Sequence, residues 1–403
     1  MRKVTLFFLF LLVLLSTNQA ADKKPYLVVL SMDGFRWDYP NKTSTPNLER
    51  LAKRGVKADA IIPSFPTKTF PNHYTMATGL YPDHHGIVLN NFYEPVLNDD
   101  YSIGDREAVG DGRFYGGEPI WVTAEKQGLT AASLFWVGSE AEIGGERPTR
   151  WKTYKHRMPY GDRIDTVMSW LQLPEPVRPN LILWYLDQPD SDGHDFGPDS
   201  PKVVNRIHVL DSLVGVFLDK VQSLPFADQI NIIITSDHGM CPISTNRVVM
   251  LNQYLDSAWI ERVQGGNPVF TIGAKPGFDD EIETALNKVK HITTWRKNEI
   301  PERLHYGSNP RIMDFVVLAD SSWSVFYDKT KDYLGGTHGF DNRNKDMHAI
   351  FYACGPAFKV GYKHGTFNNV DLYSLMCEIL KLKPAQNDGQ PSDVLPMLNL
   401  KSK

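Results

Sequence analysis

Six acidic and imidazole side chains, scattered along the chain in short motifs, have the types needed to hold two metal ions. Three carboxylates and three imidazoles, divided three to an ion, suit a pair of zinc ions a few ångström apart. Such a pair could ionise a hydroxyl and hold the attacking and leaving oxygens of a phosphoryl transfer. The candidate hydroxyl belongs to Thr69. The candidate ligands are Asp33, Asp190, His194, Asp237, His238 and His338.

The first motifs also have simpler structural explanations. Asp33 precedes Gly34, and an aspartate before glycine is commonly a turn residue. Thr69 stands near the start of a short predicted helix that ends at Gly79. There it could face an anionic oxygen beside the exposed N–H groups, or it could simply cap the helix.

The second acidic motif places Asp190 and His194 four residues apart. On a helix they would share a face, but Pro189, Gly193 and Gly197 favour a rigid loop. Either geometry could bring both side chains to one ion. The neighbouring acids, Asp192 and Asp195, are interpreted as solvated loop residues.

Asp237 and His238 stand side by side after a strongly apolar run and before Gly239. A chain that turns at the end of a strand could direct both to the same ion, although a structural turn explains the pattern equally well. His338 lies in a glycine-dense loop, which favours a ligand. His348 is interpreted as a supporting or core residue.

Apolar runs typical of buried strands alternate with helical patterns. The predicted strands cover residues 26–31, 129–135, 181–186, 230–236 and 348–353. One helix is predicted from Thr45-Pro46 to Gly55, and others near 118–127, 162–171, 201–223, 279–290 and 370–380. This alternation predicts an α/β fold with a mostly parallel central sheet flanked by helices on both faces. Candidate ligands follow three of the strands, so we expect them at one rim of the sheet.

The 403 residues predict a signal peptide at 1–20 and a single catalytic domain over 21–403. Arg2 and Lys3 precede an apolar run that is too short to span a bilayer comfortably, so a short anchor is the weaker alternative. Residues 91–160 are irregular and rich in Gly, Tyr and Trp. They are interpreted as an insertion that shapes a substrate pocket, with long surface loops as the alternative.

Charge and cysteine content narrow the class of protein. Cleavage would remove Arg2 and Lys3 and take the net charge from −4 to −6, which does not suggest binding to a nucleic-acid polymer. The three cysteines allow at most one disulfide, which suits a bacterial periplasmic protein better than an animal ectodomain. We therefore expect an exported protein, periplasmic or secreted, without a stable membrane anchor. The oligomeric state stays open.

Together the motifs resemble those of the nucleotide pyrophosphatase/phosphodiesterase family of the alkaline phosphatase superfamily, in its bacterial exported form. The resemblance extends from about residue 26 to 358 and is closest at 66–74, through Gly79-Leu80-Tyr81-Pro82 and His85-Gly86-Ile87. The segments 135–140, 189–198 and 236–240 match as well, although Val137 stands where proline is usual.

The resemblance implies a role for each site residue. Thr69 would be the nucleophile and form a covalent nucleotidyl-threonine. One zinc would bind Asp190, His194 and His338. The other would bind Asp33, Asp237, His238 and the Thr69 oxygen. Asn90, with Asn91 as the adjacent alternative, would donate to a phosphate oxygen beside the Phe70 N–H. The pocket positions would be Phe70, Tyr154 and Tyr185.

These roles predict a two-zinc phosphodiesterase or pyrophosphatase that releases nucleoside 5′-monophosphates from small nucleotide substrates. The alternative keeps the chemistry but changes the substrate to a phospholipid-derived diester of the glycerophosphocholine or lysophospholipid type. A sulfatase-like monoesterase would need a cysteine or serine nucleophile with a nearby arginine, and the Thr69 motif has neither. A non-catalytic metal-binding protein is disfavoured because the ligands and the hydroxyl are all present. Manganese or iron could replace zinc.

Overall fold

A computed structural model describes residues 24–328 and 334–399. The predicted signal peptide lies outside these residues. Within them, no helix is long and apolar enough to cross a bilayer. Cys241, Cys354 and Cys377 are all buried free thiols, so the described fold contains no disulfide.

Strands and helices alternate through most of the described chain. The strands are Tyr26–Met32 (β1), Gly55–Ala58 (β2), Ile61–Ile62 (β3), Asn91–Glu94 (β4), Asp99–Ser102 (β5), Ala131–Leu134 (β6), Arg150–Lys152 (β7), Leu181–Leu186 (β8), Ile230–Thr235 (β9), Cys241–Ile243 (β10), Val248–Met250 (β11), Ile260–Gly266 (β12), Val269–Ala274 (β13), Ile292–Arg296 (β14), Phe315–Ala319 (β15), Ser324–Phe326 (β16), Gly335–Thr337 (β17), Phe351–Cys354 (β18), Tyr362–His364 (β19) and Phe367–Asn368 (β20).

The α-helices range from single turns to six turns. They are Pro46–Arg54 (α1), Thr69–Thr78 (α2), Pro82–His85 (α3), Arg106–Gly110 (α4), Ile120–Lys126 (α5), Tyr160–Leu171 (α6), Asp190–Phe196 (α7), Pro201–Gln222 (α8), Asp279–Leu286 (α9), Leu372–Leu380 (α10) and Pro391–Val394 (α11).

The central sheet has eight strands in the order β19-β2-β18-β9-β1-β8-β6-β7. β1 lies between β8 and β9 and pairs with both in parallel, and β6 and β7 extend the parallel half. The predicted mostly parallel α/β sheet is therefore confirmed. β18 departs from the parallel pattern because it runs antiparallel to β9 and β2. Its apolar run gives no sign of direction, since both orientations bury it equally.

Both faces of this sheet are covered by packed side chains. Leu27 and Val29 of β1 belong to one apolar cluster, whereas Val28 and Leu30 belong to the cluster on the opposite face. Successive strand side chains point to opposite faces, so a continuous apolar run is what a doubly covered strand requires. The strands thereby form a rigid base for the loops at their carboxyl ends.

Five smaller sheets accompany the central one among the described residues, and two of them bear on the site. β12, β13, β15 and β14 form an antiparallel sheet, against which α9 packs in a third apolar cluster. β10, just after the Asp237-His238 motif, pairs with β17, just before His338. This short ladder joins two motifs about a hundred residues apart in the chain.

The segment from Asp190 to His194 differs from the predicted loop. It forms the first turns of α7, which ends at Gly197 with φ +84°. Gly193 permits this because a Cβ there would lie 2.9 Å from Cε of Met240. The glycine therefore reflects close packing within a helix, and the loop prediction was wrong. Asp192 is not a solvated acid either, since its Oδ2 accepts from Arg206 Nε at 2.7 Å. Asp195 is exposed, as predicted.

Candidate active site

The carboxyl ends of three adjacent parallel strands deliver acidic residues to one rim. Asp33 follows β1, Asp237 and His238 follow β9, and Asp190 begins α7 after β8. The backbone N–H of Asp190 donates to the carbonyl of Asp33 at 3.0 Å, which joins two of these loops directly. Open α/β sheets bind ligands at this edge.

Gly34 allows the loops to approach so closely. Its φ is +66°, and a Cβ there would lie 2.8 Å from Cβ of Asp190. A larger residue would be strained in its own backbone and would push the Asp190 side chain away. The Asp-Gly pair is thus a turn, as its composition suggests, and the same turn holds Asp33 against Asp190.

His338 enters the site from the end of β17. Its Nε2 lies 3.7 Å from Oδ1 of Asp190, and its ring stacks on His238 with centroids 3.5 Å apart. His194 Nε2 lies 3.5 Å from Oδ2 of Asp190 on the same face of α7. Two histidines from distant segments therefore converge beside one carboxylate, and the ring of a third histidine stacks on one of them.

The six side chains form two groups, each with ligand atoms within 4.8 Å of one another. One contains Asp190, His194 and His338, and the other contains Asp33, Asp237 and His238. The stacked rings of His238 and His338 place the groups side by side. This is the grouping that the family resemblance implies.

Backbone carbonyls orient all three imidazoles in the same way. Nδ1 of His194 donates to Gly336 O, Nδ1 of His238 to Gly239 O and Nδ1 of His338 to Thr67 O, each at 2.9 Å. A carbonyl can only accept, so Nδ1 carries the proton and Nε2 keeps its lone pair. Each Nε2 then faces the carboxylates, which is the usual support for a metal-binding histidine.

The carboxylates are poorly satisfied without a cation. Asp33 Oδ1, Asp190 Oδ1 and Asp237 Oδ2 are buried and have no hydrogen-bond partner among the described residues. Burial, followed by repulsion from Asp237 and Asp190, raises the pKa of Asp33 well above its usual range. Unpartnered anionic oxygens facing imidazole lone pairs are the donor set that divalent zinc prefers. The residues therefore fit two ions.

Thr69 is the first residue of α2, and its hydroxyl faces this cluster. Its Oγ1 lies 3.1 Å from Nε2 of His238. The hydroxyl therefore lies at the N-terminus of a ten-residue helix and beside a ligand group. The position favours an oxygen that carries negative charge.

Asn90 and Asn91 point in different directions. Oδ1 of Asn90 accepts from the Phe70 N–H at 3.1 Å, next to Thr69, whereas Oδ1 of Asn91 accepts from Ser102 Oγ at 2.7 Å. Asn90 is therefore the asparagine that lies beside Thr69. The Phe70 N–H is engaged by Asn90 Oδ1, which leaves the Asn90 amide N–H groups available as donors.

An aromatic cavity of about 220 Å³ opens beside Thr69 and Asp33. Phe70, Tyr154 and Tyr185 all line it, as the resemblance implies. The Tyr185 hydroxyl also donates to Asp33 Oδ2 at 2.5 Å. Most of the remaining lining comes from the segment 91–160: Ile103, Arg106, Val109, Phe135, Trp136, Val137, Gly138 and Glu140. The segment also supplies β6 to the central sheet.

A second groove of about 580 Å³ lies along His194 and His338. The groove is more polar than the aromatic cavity. Lys68, which lines the groove, donates to Asn267 O at 2.6 Å. Burial lowers the pKa of that lysine to about 7. The polar lining consists of Lys68, Asn90, Asn91, Asp195, Asn267 and Thr337.

His73 was not assigned a role from the sequence, yet it lies directly beneath the site. Nδ1 donates to the Thr69 carbonyl at 3.0 Å and lies 3.3 Å from Asp237 Oδ2, while Nε2 accepts from Ser31 Oγ at 2.8 Å. Its spacing of four residues from Thr69 on a helix was the available signal. His348 lies apart from the ligand groups, and its Nε2 donates to Asn342 O.

Comparison with known proteins places this site in a family. Residues 27–341 match the family described as type I phosphodiesterase/nucleotide pyrophosphatase. This chain belongs to the type I phosphodiesterase/nucleotide pyrophosphatase family. It is accordingly a hydrolase, a phosphodiesterase or nucleotide pyrophosphatase.

Relatives in this family resemble most of the chain. Human ectonucleotide pyrophosphatase/phosphodiesterase family member 5 is 35% identical over 395 residues, which cover 97% of this chain and 82% of that protein. The venom phosphodiesterase of Naja atra is 38% identical over 379 residues, covering 91% of this chain. The match spans only 45% of the venom protein's length.

Solved structures in the phosphodiesterase/nucleotide pyrophosphatase family share the fold. Murine family member 5 superposes with a TM-score of 0.89 at 36% identity, covering 94% of this chain and 100% of that one. A second structure of the murine protein, an inactive variant with threonine replaced by alanine, is in complex with AMP and gives the same values.

Proposed function

We propose that this protein is a two-zinc phosphodiesterase that releases nucleoside 5′-monophosphates from small nucleotide diesters or pyrophosphates through a covalent threonine intermediate. One observation carries the proposal. The Thr69 hydroxyl stands 3.1 Å from His238, between a double ligand group and an aromatic cavity of a size suited to one flat ring system. A nucleotide needs both features together, since its phosphate and its base lie a few bonds apart.

The two ligand groups would each hold one zinc ion. Asp190, His194 and His338 would hold the first, and Asp33, Asp237, His238 and the Thr69 oxygen the second. When bound, the ions supply Lewis acidity, which lowers the pKa of a hydroxyl or water and offsets phosphate charge. Manganese or iron would use the same oxygen and nitrogen donors.

The protein's own residues would perform the transfer in two steps. The Thr69 oxygen forms a bond to phosphorus while the bond to the leaving oxygen breaks, and the hydroxyl proton passes to solvent. The Asn90 amide, held by the Phe70 N–H, donates to a non-bridging oxygen as its charge grows. Water then attacks the phosphothreonine ester, which restores the hydroxyl and releases the monophosphate.

The two cavities favour a nucleotide over a lipid-derived diester. A base would stack among Phe70, Tyr154 and Tyr185, and stacking on such rings contributes about 1–3 kcal/mol per base. The leaving group would enter the groove beside His194 and His338, where Lys68 and three asparagines suit a polar or anionic group. That groove presents more polar than apolar surface, which matches a polar leaving group better than an acyl chain. The AMP complex of the murine relative supports the same assignment.

We further propose that the mature protein is an exported single catalytic domain, periplasmic or secreted, in which residues 91–160 shape the substrate pocket. Most of the cavity wall outside Thr69 and Tyr185 comes from that segment. Its substrates are small molecules, because the mild net negative charge of −4 offers no attraction to a nucleic-acid polymer.

Replacing the nucleophile tests the mechanism. Thr69→Ala should abolish turnover while the metal content stays near two ions per chain, because six of the seven proposed donors remain. Thr69→Ser is the matched control, since it keeps a hydroxyl at the same position and should retain measurable turnover. Substantial turnover by the alanine variant would reject threonine as the nucleophile.

Substrate choice requires a separate comparison. The p-nitrophenyl ester of thymidine 5′-monophosphate should be hydrolysed with a higher kcat/KM than p-nitrophenyl phosphorylcholine. A hundredfold preference for the choline ester would overturn the nucleotide assignment and leave the threonine chemistry intact.

A further inference from the structure

The wall of the aromatic cavity contains one ion pair that the proposed chemistry does not use. Asp33 and Asp190 belong to the ligand groups, and the other charged lining residues are Arg106 and Glu140. Arg106 Nη2 donates to Glu140 Oε2. Since the cavity is otherwise lined mostly by apolar groups and rings, this pair is placed to interact with the polar edge of a bound ring.

Glu140 is already engaged on both of its oxygens. Oε2 accepts from Arg106, and Oε1 accepts from the backbone N–H of Tyr154 at 3.0 Å. Its side chain is only 10% exposed, so solvent offers little further screening. An amino group on a ligand would have to compete with a guanidinium for the same carboxylate. Glu140 therefore serves to hold Arg106 and Tyr154 rather than to bind the ligand.

Arg106 has donors to spare. Its backbone is fixed as the first residue of α4, where the Asp105 side chain caps the helix by accepting from Glu107 N and Ala108 N. Three residues later, Val109 lines the same cavity. The Arg106 side chain is 43% exposed, and the described structure shows its guanidinium donating to Glu140 through one nitrogen. A guanidinium carries five N–H groups and accepts none.

We infer that Arg106 determines which base this enzyme prefers, by presenting N–H donors to the base edge from the cavity wall. The inference rests on the proposed nucleotide hydrolysis and deepens it. Guanine offers two adjacent acceptors, O6 and N7, which a guanidinium can engage together. Adenine presents an amino group where guanine has O6, and that amino group opposes an arginine donor. The favoured bases are thus those with a carbonyl at this position: guanine and hypoxanthine among purines, uracil and thymine among pyrimidines.

A comparison of bases that share a ring system separates selection by Arg106 from selection by stacking. Guanine and adenine have the same ring system, as do uracil and cytosine, so each pair differs chiefly in the carbonyl or amino substituents at its polar edge. A bidentate contact to the correct base corresponds to a preference of roughly tenfold to a hundredfold. We expect the p-nitrophenyl ester of guanosine 5′-monophosphate to exceed the adenosine ester in kcat/KM by about that factor. The uridine ester should exceed the cytidine ester by a smaller factor, because uracil offers one acceptor there.

Substitution of Arg106 tests the assignment. In Arg106→Ala the guanosine-to-adenosine ratio should fall to near one or invert, because Glu140 is then free to accept from an amino group. Arg113→Ala is the control, since Arg113 belongs to the same segment but pairs with Asp111 outside the cavity lining. Its ratio should equal that of the unaltered enzyme. A merely structural Arg106 would raise KM for all four esters alike and leave both ratios unchanged, which would overturn the inference.

A measurement on the unaltered enzyme guards against a misfolded variant. Competitive inhibition by the four nucleoside 5′-monophosphates should rank GMP ahead of AMP and UMP ahead of CMP. Parity or the reverse order would also reject the role of Arg106. If the enzyme hydrolysed none of the nucleotide esters, the proposed function itself would fail, and that outcome is distinct from hydrolysis without base preference.

Discussion

The hydroxyl of Tyr185 donates a 2.5 Å hydrogen bond to Oδ2 of Asp33, and the same tyrosine lines the aromatic cavity. Oδ1 of Asp33 is left without a partner and faces Nε2 of His238 at 3.4 Å. Burial and then the charge of Asp33 raise the pKa of Tyr185 well above its usual value, which keeps the phenol protonated as a donor. The cavity wall thus fixes which carboxylate oxygen is turned towards the proposed ion.

Removing the Tyr185 hydroxyl should weaken ion binding and leave the aromatic ring in the cavity wall. Tyr185→Phe keeps the ring and frees Oδ2 of Asp33, so we expect metal retention or activity to drop about 10- to 100-fold, as for other supporting partners of metal ligands. Competition with a graded chelator measures the retention directly. Tyr154→Phe is the control because its hydroxyl faces His156 Nδ1 at 3.2 Å instead. Equal retention in both variants would contradict the role of Tyr185.

Two acids of α7 allow a matched test of the ion site. Asp190→Asn should lower the metal content towards one ion per chain, because Asp190 supplies the carboxylate of its ligand group. Asp192→Asn should keep the full metal content, since Asp192 pairs with Arg206 of α8 instead of facing the ligand groups. Elemental analysis of the purified variants distinguishes them. Loss of metal from the Asp192 variant but not from the Asp190 variant would mean that Asp190 is not a metal ligand.

Chelation should destabilise the fold as well as stop turnover. The unpartnered carboxylate oxygens repel one another without cations, and an ion that binds only the folded state stabilises it by about 2.7 kcal/mol at a hundred times its Kd. The thermal midpoint should fall after dialysis against chelator and recover with added zinc. A midpoint that is insensitive to both treatments would argue against folded-state binding at this cluster.

Asn90 should contribute mainly to kcat. Removing one donor to a developing phosphate charge costs about 10²–10³-fold in kcat in comparable sites. We expect such a loss in Asn90→Ala with a smaller change in KM. Asn91→Ala removes the neighbouring amide, which accepts from Ser102, and should spare kcat. A larger loss of kcat in the Asn91 variant would mean that Asn91, and not Asn90, donates to the phosphate.

The buried His85 should make the fold acid-sensitive. Its Nδ1 accepts from the Ile87 N–H and its Nε2 contacts Thr75 Oγ1. Burial lowers its pKa to about 3, from 6.5. The unfolded chain therefore binds one more proton between pH 6.5 and 3, so stability falls as the pH falls through that window, by about 1.4 kcal/mol per unit at most.

Urea unfolding of variants at several pH values would reveal this contribution. His85→Gln should flatten the dependence between pH 6 and 4. His84→Gln is the control variant, because it replaces a neighbouring histidine whose side chain is half exposed. An identical slope in both variants would remove His85 as the cause.

The central sheet was predictable because its strands are apolar on both faces, as in β1 and β9. The meeting of Asp33, Asp190 and Asp237 was expected from the same reasoning, since parallel neighbours end at one rim. The helix α7 was not expected, because Pro189, Gly193 and Gly197 locally favour a loop. Gly193 is required by its close contact with Met240, which the local sequence cannot reveal.

Residues on the cavity wall were harder to predict than ligands. Neither Arg106 nor Asn267 belongs to a recognisable motif, and nothing in the local pattern indicates what either side chain faces. Ligands are recognisable because few residue types bind zinc. Pocket residues of almost any type can line a cavity, so their roles emerge only when distant segments meet.

The ladder between β10 and β17 has a consequence for dividing the protein into two polypeptides. A break at the exposed turn of Thr245 and Asn246 would separate a fragment with Thr69 and five of the proposed ligands from a fragment that carries the sixth, His338. Neither fragment could complete the first ligand group without the other. Phosphodiester hydrolysis by the two fragments would therefore require their association. The protein could be converted into a complementation sensor whose signal depends on the delivery of a single histidine.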